Sequence, residues 1–243
     1  MAENLSWEDL QHADAATAKL RAAAMGLKFS KRQILAVEKA ERPAWRQLLG
    51  SRDFRIICMI NAVLFMTATG SRSVLMPLLA YDVYGYTPQH LGMLFGGMAV
   101  LNLVGTAPAA VAADRFGRKW TIVPAGLGLG AALGLMAAGA SPELFAAGAA
   151  VFAISNAFVG PSPAAYAADV MPAHQRGLGL GLYRSAGDIG LLVGPLVLGV
   201  VADVSSVQLA LHANAAAITV AVLYFGARAC ETKHLRRHKA KAR

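Results

Sequence analysis

Three charged side chains lie inside long apolar stretches of this sequence, where an ionised group is costly unless it has a partner. Arg72 occurs within "GSRSVLMP", and Arg184 and Asp188 stand four residues apart in a later stretch. Charges in such positions are candidates for a pathway that carries a charged solute. Two alternatives stay open: Arg184 and Asp188 neutralise each other one helical turn apart, and Arg72 extends its guanidinium outward to water.

Neutral amides occur in two other apolar stretches. Asn102 and Asn156 can each donate and accept hydrogen bonds, although an asparagine in this setting often only joins two helices. Two arginines against one acid predict that the solute is an organic anion or a zwitterion. Exchange of the solute for protons is a further hypothesis; it requires that the Arg184–Asp188 pair opens, because an arginine beside the acid hinders proton carriage. The predicted transport pathway consists of Arg72, Asn102, Asn156, Arg184 and Asp188.

The segments that position these residues are long enough to cross a membrane. The 243-residue chain is 56% hydrophobic with a mean hydropathy of +0.47, and about 20 apolar residues cross a bilayer as a helix. Backbone groups in lipid must be paired within their own segment, so these segments should be α-helices. The sequence therefore predicts an all-α integral membrane domain over 54–228. Its six transmembrane helices are predicted at 54–83, 88–113, 119–140, 142–168, 177–203 and 206–228.

Charged residues collect in the connections, which alternate between basic and non-basic. The net charge of +9 is concentrated at the termini and in turns such as "DRFGRK". Basic loops stay on the cytoplasmic side of a membrane, so both termini are predicted to be cytoplasmic. Residues 1–53 are predicted to form an amphipathic cytoplasmic segment, and residues 229–243 a basic cytoplasmic tail. No aromatic residues interleave with this tail, so a nucleic-acid partner is not expected.

No catalytic or cofactor motif occurs in the sequence. Cys58 and Cys230 have no metal-ligand spacing, and no serine–histidine–aspartate pattern is present. The glycine-rich stretches at 126–130 and 177–182 follow no strand and lack the lysine of a phosphate-binding loop, which argues against ATP-driven transport. We expect no enzymatic activity, no cofactor and no bound metal.

Two pairs of stretches indicate an internal repeat. "PLLAYDV" (77–83) resembles "PAAYAADV" (163–170), and "PAAVAAD" (108–114) resembles "PLVLGVVAD" (195–203). In the predicted topology the matching ends fall on opposite sides of the membrane, as in the three-plus-three inverted repeats of secondary transporters. Alanine-rich helices also produce such matches by chance, so the repeat is a hypothesis.

The turn "AADRFGRKW" (112–120) resembles the cytoplasmic loop motif of the major facilitator superfamily, Gly-x-x-x-Asp-Arg-x-Gly-Arg-Arg/Lys. Ala110 replaces the leading glycine. The resemblance implies a latch that steadies one state of an alternating-access cycle. The alternative is a basic topology anchor without a switching role. We hypothesise that Arg115 or Arg118 bridges to Asp169. The residues assigned to the gating motif are Asp114, Arg115, Gly117, Arg118, Lys119 and Asp169.

A second stretch, "GLLVGPLVLG" (190–199), is similar to the glycine–proline pattern of the antiporters in that family. Its small residues predict that helices pack closely there. The packing residues are Gly190, Gly194, Pro195 and Gly199.

The resemblance covers residues 45–230 and corresponds to one six-helix half of the family's twelve-helix unit. "CETK" (230–233) resembles the end of the second half, and 1–53 would then be the linker between halves. The near-complete loop motif is more typical of the first half. We favour the second.

The resemblance implies secondary-active transport of a small solute by alternating access, with the chain as one half of the transporter. The expected partners are membrane lipid, a small and possibly anionic solute, and either a second half or a second copy of the chain. The chain can also be a fragment of a longer protein. The alternative function is a transporter-derived structural subunit of a larger membrane complex.

Overall fold

The computed structural model describes residues 43–139 and 141–231. Most of the predicted amphipathic segment and nearly all of the basic tail lie outside the described residues. A short helix, Ala44–Gly50, belongs to a unit of its own that ends at Gly50, and the membrane domain begins at Ser51. The predicted cytoplasmic roles of the two terminal segments stay predictions.

Within the described part of the chain, six helices are long and apolar enough to cross a membrane, which confirms the predicted number. Their ends differ from the predicted ends by no more than three residues. In chain order they are α1 (Arg52–Asp82), α2 (Pro88–Phe116), α3 (Arg118–Ala137), α4 (Pro142–Val170), α5 (Arg176–Val204) and α6 (Val207–Arg228).

Polar caps of the same kind begin α2, α4 and α6. Thr87, Ser141 and Ser206 stand in extended conformation just before these helices. Each side-chain oxygen accepts a hydrogen bond from the backbone N–H three residues later, which satisfies a group that the first helical turn leaves unpaired. At the other end of the bundle α2 and α3 are joined by the single residue Gly117. Its backbone angles, φ 113° and ψ 159°, are accessible essentially only to glycine.

Two of the helices are irregular in their interior. α1 changes to a π-helical register, in which each backbone hydrogen bond spans five residues instead of four. α4 is interrupted at Gly160 and Pro161, because a proline lacks the N–H that would continue the helical ladder. The segments are Arg52–Met66, Thr67–Leu75 (π-helical) and Met76–Asp82 in α1, and Pro142–Val159 and Ser162–Val170 in α4.

The packing of the helices follows the predicted three-plus-three repeat. α1 packs along α5, and α4 packs along α2, which is the equivalent pairing when the two three-helix groups are exchanged. α3 packs along α6, the pair that the exchange leaves unchanged. The internal similarity in the sequence therefore corresponds to the contacts of the fold.

α2 and α5 are the least buried of the six helices. Only 11% of the apolar stretch of α2 and 22% of that of α5 is buried, against 39% or more in the other four. Large apolar side chains cover the open faces, including Leu103 on α2 and Leu192 on α5, which are 76% and 66% exposed. The exposed faces of α2 and α5 therefore form an apolar surface that no other described residue covers.

Candidate functional site

A cavity of about 230 Å³ opens between α1, α2 and α4. It brings together three of the five residues that the sequence assigns to a pathway: Arg72 from α1, Asn102 from α2 and Asn156 from α4. The remaining lining is Met98, Ala99, Leu103, Thr106, Phe152 and Ala153. One cation, two amides and a hydroxyl thus share an otherwise apolar cavity.

The three polar residues lie at a similar depth in the bundle. Arg72 is ten residues from the end of α1, and Asn102 and Asn156 are each fourteen residues from the start of their helices. These ends lie on the same side of the bundle, so the residues are roughly 15–21 Å below it at 1.5 Å per residue. A bilayer's hydrocarbon core is about 30 Å thick. The cavity therefore lies near the middle of the membrane.

The amide of Asn102 also joins two helices. Its Nδ2 donates a hydrogen bond to the backbone oxygen of Ala153 on α4 (3.3 Å), and the hydroxyl of Thr106 donates to the backbone oxygen of Asn102 (2.7 Å). The side chains of Arg72 and Asn156 form no hydrogen bond or ion pair with any residue that the structure describes. An arginine in the membrane is costly without a partner, so the guanidinium of Arg72 has unused capacity to bind an anion.

The other two predicted pathway residues lie elsewhere, on the open face of α5. Arg184 Nε is 3.4 Å from Asp188 Oδ1, and their side chains are 72% and 56% exposed. The guanidinium also lies 5.8 Å from the centre of the Phe65 ring. The structure thus brings Arg184 and Asp188 to each other and not into the cavity of Arg72. Their part in a pathway stays a prediction.

At the opposite end of the bundle, the chain returns after α6 to cover the turn between α2 and α3. The carboxylate of Glu231 packs on Gly117, so that a β-carbon at Gly117 would lie 2.6–2.8 Å from its atoms. The Lys119 ammonium donates a hydrogen bond to the backbone oxygen of Ala229 (3.1 Å). Arg118, whose side chain is 14% exposed, pairs with Asp114 across the turn (3.0 Å).

α1 and α4 hold the same returning segment. Tyr166 on α4 donates its hydroxyl to the backbone oxygen of Cys230 (2.9 Å), and the N–H of Cys230 donates to Oδ1 of Asp53 on α1 (3.3 Å). Five helices, α1, α2, α3, α4 and α6, are therefore tied together at this end. We call this set the clasp; its members are Asp53, Asp114, Gly117, Arg118, Lys119, Tyr166 and residues 229–231.

The sequence motif accounts for only part of the clasp. Glu231, Tyr166 and Asp53 were not identified as site residues from the sequence. The stretch "CETK" and the acid at the start of α1 were the available signals, but nothing local shows that they meet the motif. Asp169 lies near the end of α4, three residues beyond Tyr166. Its bridge to Arg115 or Arg118 stays a prediction.

Glycines let α5 approach α1 closely. A β-carbon at Gly190 would overlap the backbone oxygen of Ala62, and one at Gly194 would lie 2.8 Å from the backbone oxygen of Met66. Pro195 is half-buried beside them. Gly199 differs from the sequence prediction, because a β-carbon there would meet no atom of the described residues within 4 Å. Five residues beyond Gly194 it is rotated about 140° around the helix, away from α1.

We predict that Gly117→Ala loosens the clasp. The substitution imposes a backbone conformation that costs about 1–3 kcal/mol for a non-glycine residue, and its methyl group displaces Glu231. Trypsin should cleave the purified protein faster at Arg115, Arg118 and Lys119. Gly177→Ala at the start of α5 is the matched control, because a β-carbon there meets no atom of the described residues within 4 Å. Equal cleavage rates for the two variants would contradict the prediction.

Comparison with known proteins gives one family. The family model of the Major Facilitator Superfamily matches residues 58–242. A staphyloferrin B transporter of Staphylococcus aureus is 31% identical over 199 residues, which are 78% of this chain and 46% of that protein. An uncharacterized MFS-type transporter of Methanocaldococcus jannaschii is 28% identical over 154 residues, 63% of this chain and 39% of that protein. The chain therefore spans less than half the length of these relatives.

A solved structure with the same fold is the proton:xylose symporter XylE bound to 6-bromo-6-deoxy-D-glucose. The superposition has a TM-score of 0.66 and covers 93% of this chain and 52% of XylE, with 16% sequence identity. At that identity the similarity concerns the fold alone.

Proposed function

The chain belongs to the major facilitator superfamily, and we propose that it works as one six-helix half of a secondary transporter that moves an organic anion by alternating access. Six apolar helices and the family make it an integral, multi-pass membrane protein. The observation that carries the proposal is the guanidinium of Arg72, which lies in a mid-membrane cavity beside two asparagines without a carboxylate partner among the described residues.

The chemistry of the cavity favours a carboxylate or a similar oxyanion as the bound group. A guanidinium presents a planar fork of donors that matches two oxygens at once. Asn156, and the part of Asn102 that is not bonded to α4, can add neutral hydrogen bonds to hydroxyl or carboxyl oxygens. No acidic side chain among the described residues lines this cavity, so a cationic solute finds no compensating charge from them.

A second six-helix half would complete the site. The cavity of about 230 Å³ is smaller than the roughly 300–1,000 Å³ typical of small-molecule sites. The chain spans about half of XylE, and the open faces of α2 and α5 provide the apolar surface on which another half can pack. The occupant is another six-helix chain, a second copy of this chain, or a segment of the same polypeptide.

The clasp is proposed to act as the latch of the transport cycle. It joins the turn between α2 and α3 to three other helices at a single end of the bundle. A rocking motion that opens this end must break some of these bonds. Because they are few and partly exposed, each costs about 1 kcal/mol, which allows the latch to open and close reversibly.

Uptake measurements in membrane vesicles of the source organism test the proposal, because these membranes retain whatever second half the chain uses. The gene is deleted or restored, and vesicles are supplied with labelled citrate, succinate, glutamate or the neutral sugar xylose. We expect restoration to recover transport of at least one anionic probe and not of xylose. Recovery of xylose alone, or of none of the four, would contradict an anion pathway.

A structural subunit predicts a different result in the same vesicles. In that case the restored gene recovers transport equally well with Arg72 or with Arg72→Ala, because the chain only holds an assembly together. Dependence on Arg72 therefore separates the two functions.

Orientation is tested by labelling single cysteines. Cys58 and Cys230 are the only cysteines of the chain, and both are first replaced by serine. Gln89→Cys at the start of α2 should react with a membrane-impermeant maleimide added outside intact cells, and His174→Cys between α4 and α5 only after permeabilisation, because basic connections stay cytoplasmic. Labelling of position 174 from outside would show that the topology is inverted.

A further inference from the structure

The π-helical segment of α1, Thr67–Leu75, contains Arg72. π-Helical turns are rare, and they occur frequently at functional sites. The register extends to the end of the segment, where the N–H of Met76 donates to the backbone oxygen of Ser71, five residues earlier. Because one residue of register corresponds to about 100° of rotation around a helix, this segment decides in which direction the side chain of Arg72 leaves α1.

A buried polar cluster holds the segment against α6. The Thr67 hydroxyl donates to Oδ1 of Asn214 (3.3 Å), and Nδ2 of Asn214 donates to the hydroxyl of Ser71 (2.6 Å). All three side chains are at most 2% exposed. A single amide thus bridges two turns of α1, and both of its polar ends are used.

Further contacts, one to α5 and two within α1, support the irregular backbone. The single hydroxyl proton of Thr69 is shared between the backbone oxygens of Phe65 on α1 (2.8 Å) and Leu191 on α5 (3.3 Å), and the Ser73 hydroxyl donates to that of Ala68 on α1 (3.3 Å). Within a membrane, neighbouring helices and Ser or Thr hydroxyls are what can satisfy the backbone groups of an irregular turn. With α6 and α5 holding two sides of the segment, Arg72 is directed to the third side, into the cavity between α2 and α4.

We propose that Asn214 is a positioning residue, which holds the π-helical register of α1 and thereby directs Arg72 into the solute cavity. Only the identity of the solute as an organic anion rests on the proposed function; the positioning role itself does not. Asn214 does not line the cavity, so it acts through Thr67 and Ser71. Without the amide, the two buried hydroxyls lose their partner, and relaxation towards an α-helical register rotates Arg72 away from Asn102 and Asn156.

A cross-link measures this register without any transport. Arg72→Cys and Asn156→Cys are combined in a chain whose native cysteines are replaced by serine, and a short bifunctional maleimide is added to source-organism membranes. We expect an efficient cross-link, and a reduction of about tenfold when Asn214→Leu is added, since one residue of register turns position 72 by about 100°. Asn61→Leu is the matched control: Asn61 is also buried and joins two helices, donating to the Tyr183 backbone oxygen (2.8 Å). It should leave the cross-link unchanged.

Transport gives the second measurement, in chains that keep Arg72. The probe is whichever of labelled citrate, succinate and glutamate the unmodified vesicles take up fastest. Asn214→Leu should raise its KM by about tenfold, the effect of weakening one charged hydrogen bond, with a smaller change in the maximal rate. Asn61→Leu should lower the amount of assembled protein and leave KM within twofold. A KM of Asn214→Leu for that probe within twofold of the unmodified chain overturns the proposal.

The cross-link and the uptake measurement test different claims, so one claim can be contradicted without the other. An equal cross-link with and without Asn214→Leu, or no cross-link in the reference pair, overturns the positioning role whether or not an anion is transported. If unmodified vesicles do not take up citrate or the other anionic probes, the proposed solute class fails, and the cross-link alone decides the role of Asn214.

Discussion

Arg72→Ala is expected to lower anion uptake by about a hundredfold or more. A guanidinium that binds a carboxylate through two hydrogen bonds contributes about 1.5–3 kcal/mol per bond, and every 1.4 kcal/mol corresponds to about tenfold in affinity. The side chain lies in the cavity without a competing partner among the described residues, so its loss removes binding directly. The measurement is the initial rate of uptake of labelled citrate, succinate and glutamate in source-organism vesicles.

Two further variants serve as controls for Arg72→Ala. Arg72→Lys keeps the charge but not the planar fork of donors, so it should retain part of the uptake. Arg176→Ala removes an exposed arginine at the start of α5 and should leave uptake unchanged, while all three proteins reach the membrane in equal amounts. Normal uptake by Arg72→Ala would mean that the arginine is structural, and the case for an anion pathway through this half would fail.

Arg184→Ala separates the two sets of predicted pathway residues. The sequence places Arg184 and Asp188 in the same pathway as Arg72, whereas the structure pairs them on the open face of α5. If that face meets a second half across a shared cavity, Arg184→Ala should also abolish uptake. Unchanged uptake would assign the pair to self-neutralisation on the helix surface.

Gly190→Ala is expected to be the most destabilising single-methyl substitution in the domain. Its β-carbon would overlap the backbone oxygen of Ala62, and a backbone group within a packed helix cannot move aside as a flexible side chain can. α5 must separate from α1, which costs about 3 kcal/mol, the upper end of what overpacking usually costs. The midpoint of thermal unfolding in mild detergent measures the loss.

Gly199→Ala is the matched control on the same helix. A β-carbon there meets nothing within 4 Å in the part of the chain that the structure describes, and alanine is favoured over glycine in a helix by about 1 kcal/mol. This variant should unfold at the same temperature as the unmodified chain or slightly above it. If Gly190→Ala unfolds at the same temperature as Gly199→Ala, α5 does not approach α1 as closely at Gly190 as the structure shows. Gly194→Leu should disrupt the same interface.

The existence of the six helices could be predicted from the sequence because it depends on local properties. A run of about 20 apolar residues crosses a bilayer, and its backbone must be paired within the run. The caps at Thr87, Ser141 and Ser206 act within three residues of themselves. The turn at Gly117 is equally local, and its motif was sufficient to indicate the family.

The composition of the cavity depended on the tertiary structure. Arg72, Asn102 and Asn156 stand on three different helices, and the sequence offered the same argument for Arg184 and Asp188. Helices in a membrane associate through close packing of small residues and a few polar contacts between distant segments. Which face of α5 turns toward α1 follows from Gly190 and Gly194, and this face leaves Arg184 and Asp188 on the open side.

Two further features became apparent only in three dimensions, for the same reason. The clasp needs Glu231, which is 114 residues after Gly117 in the chain, and the π-helical register of α1 is held by Asn214, 143 residues after Ser71. Hydropathy and loop charges carry no information about such pairs. The sequence by itself therefore determined the membrane domain, its number of helices and its family, because each depends on local composition or a short motif. The tertiary structure decided which polar residues share a cavity, since that choice depends on how the helices rotate against one another as they pack.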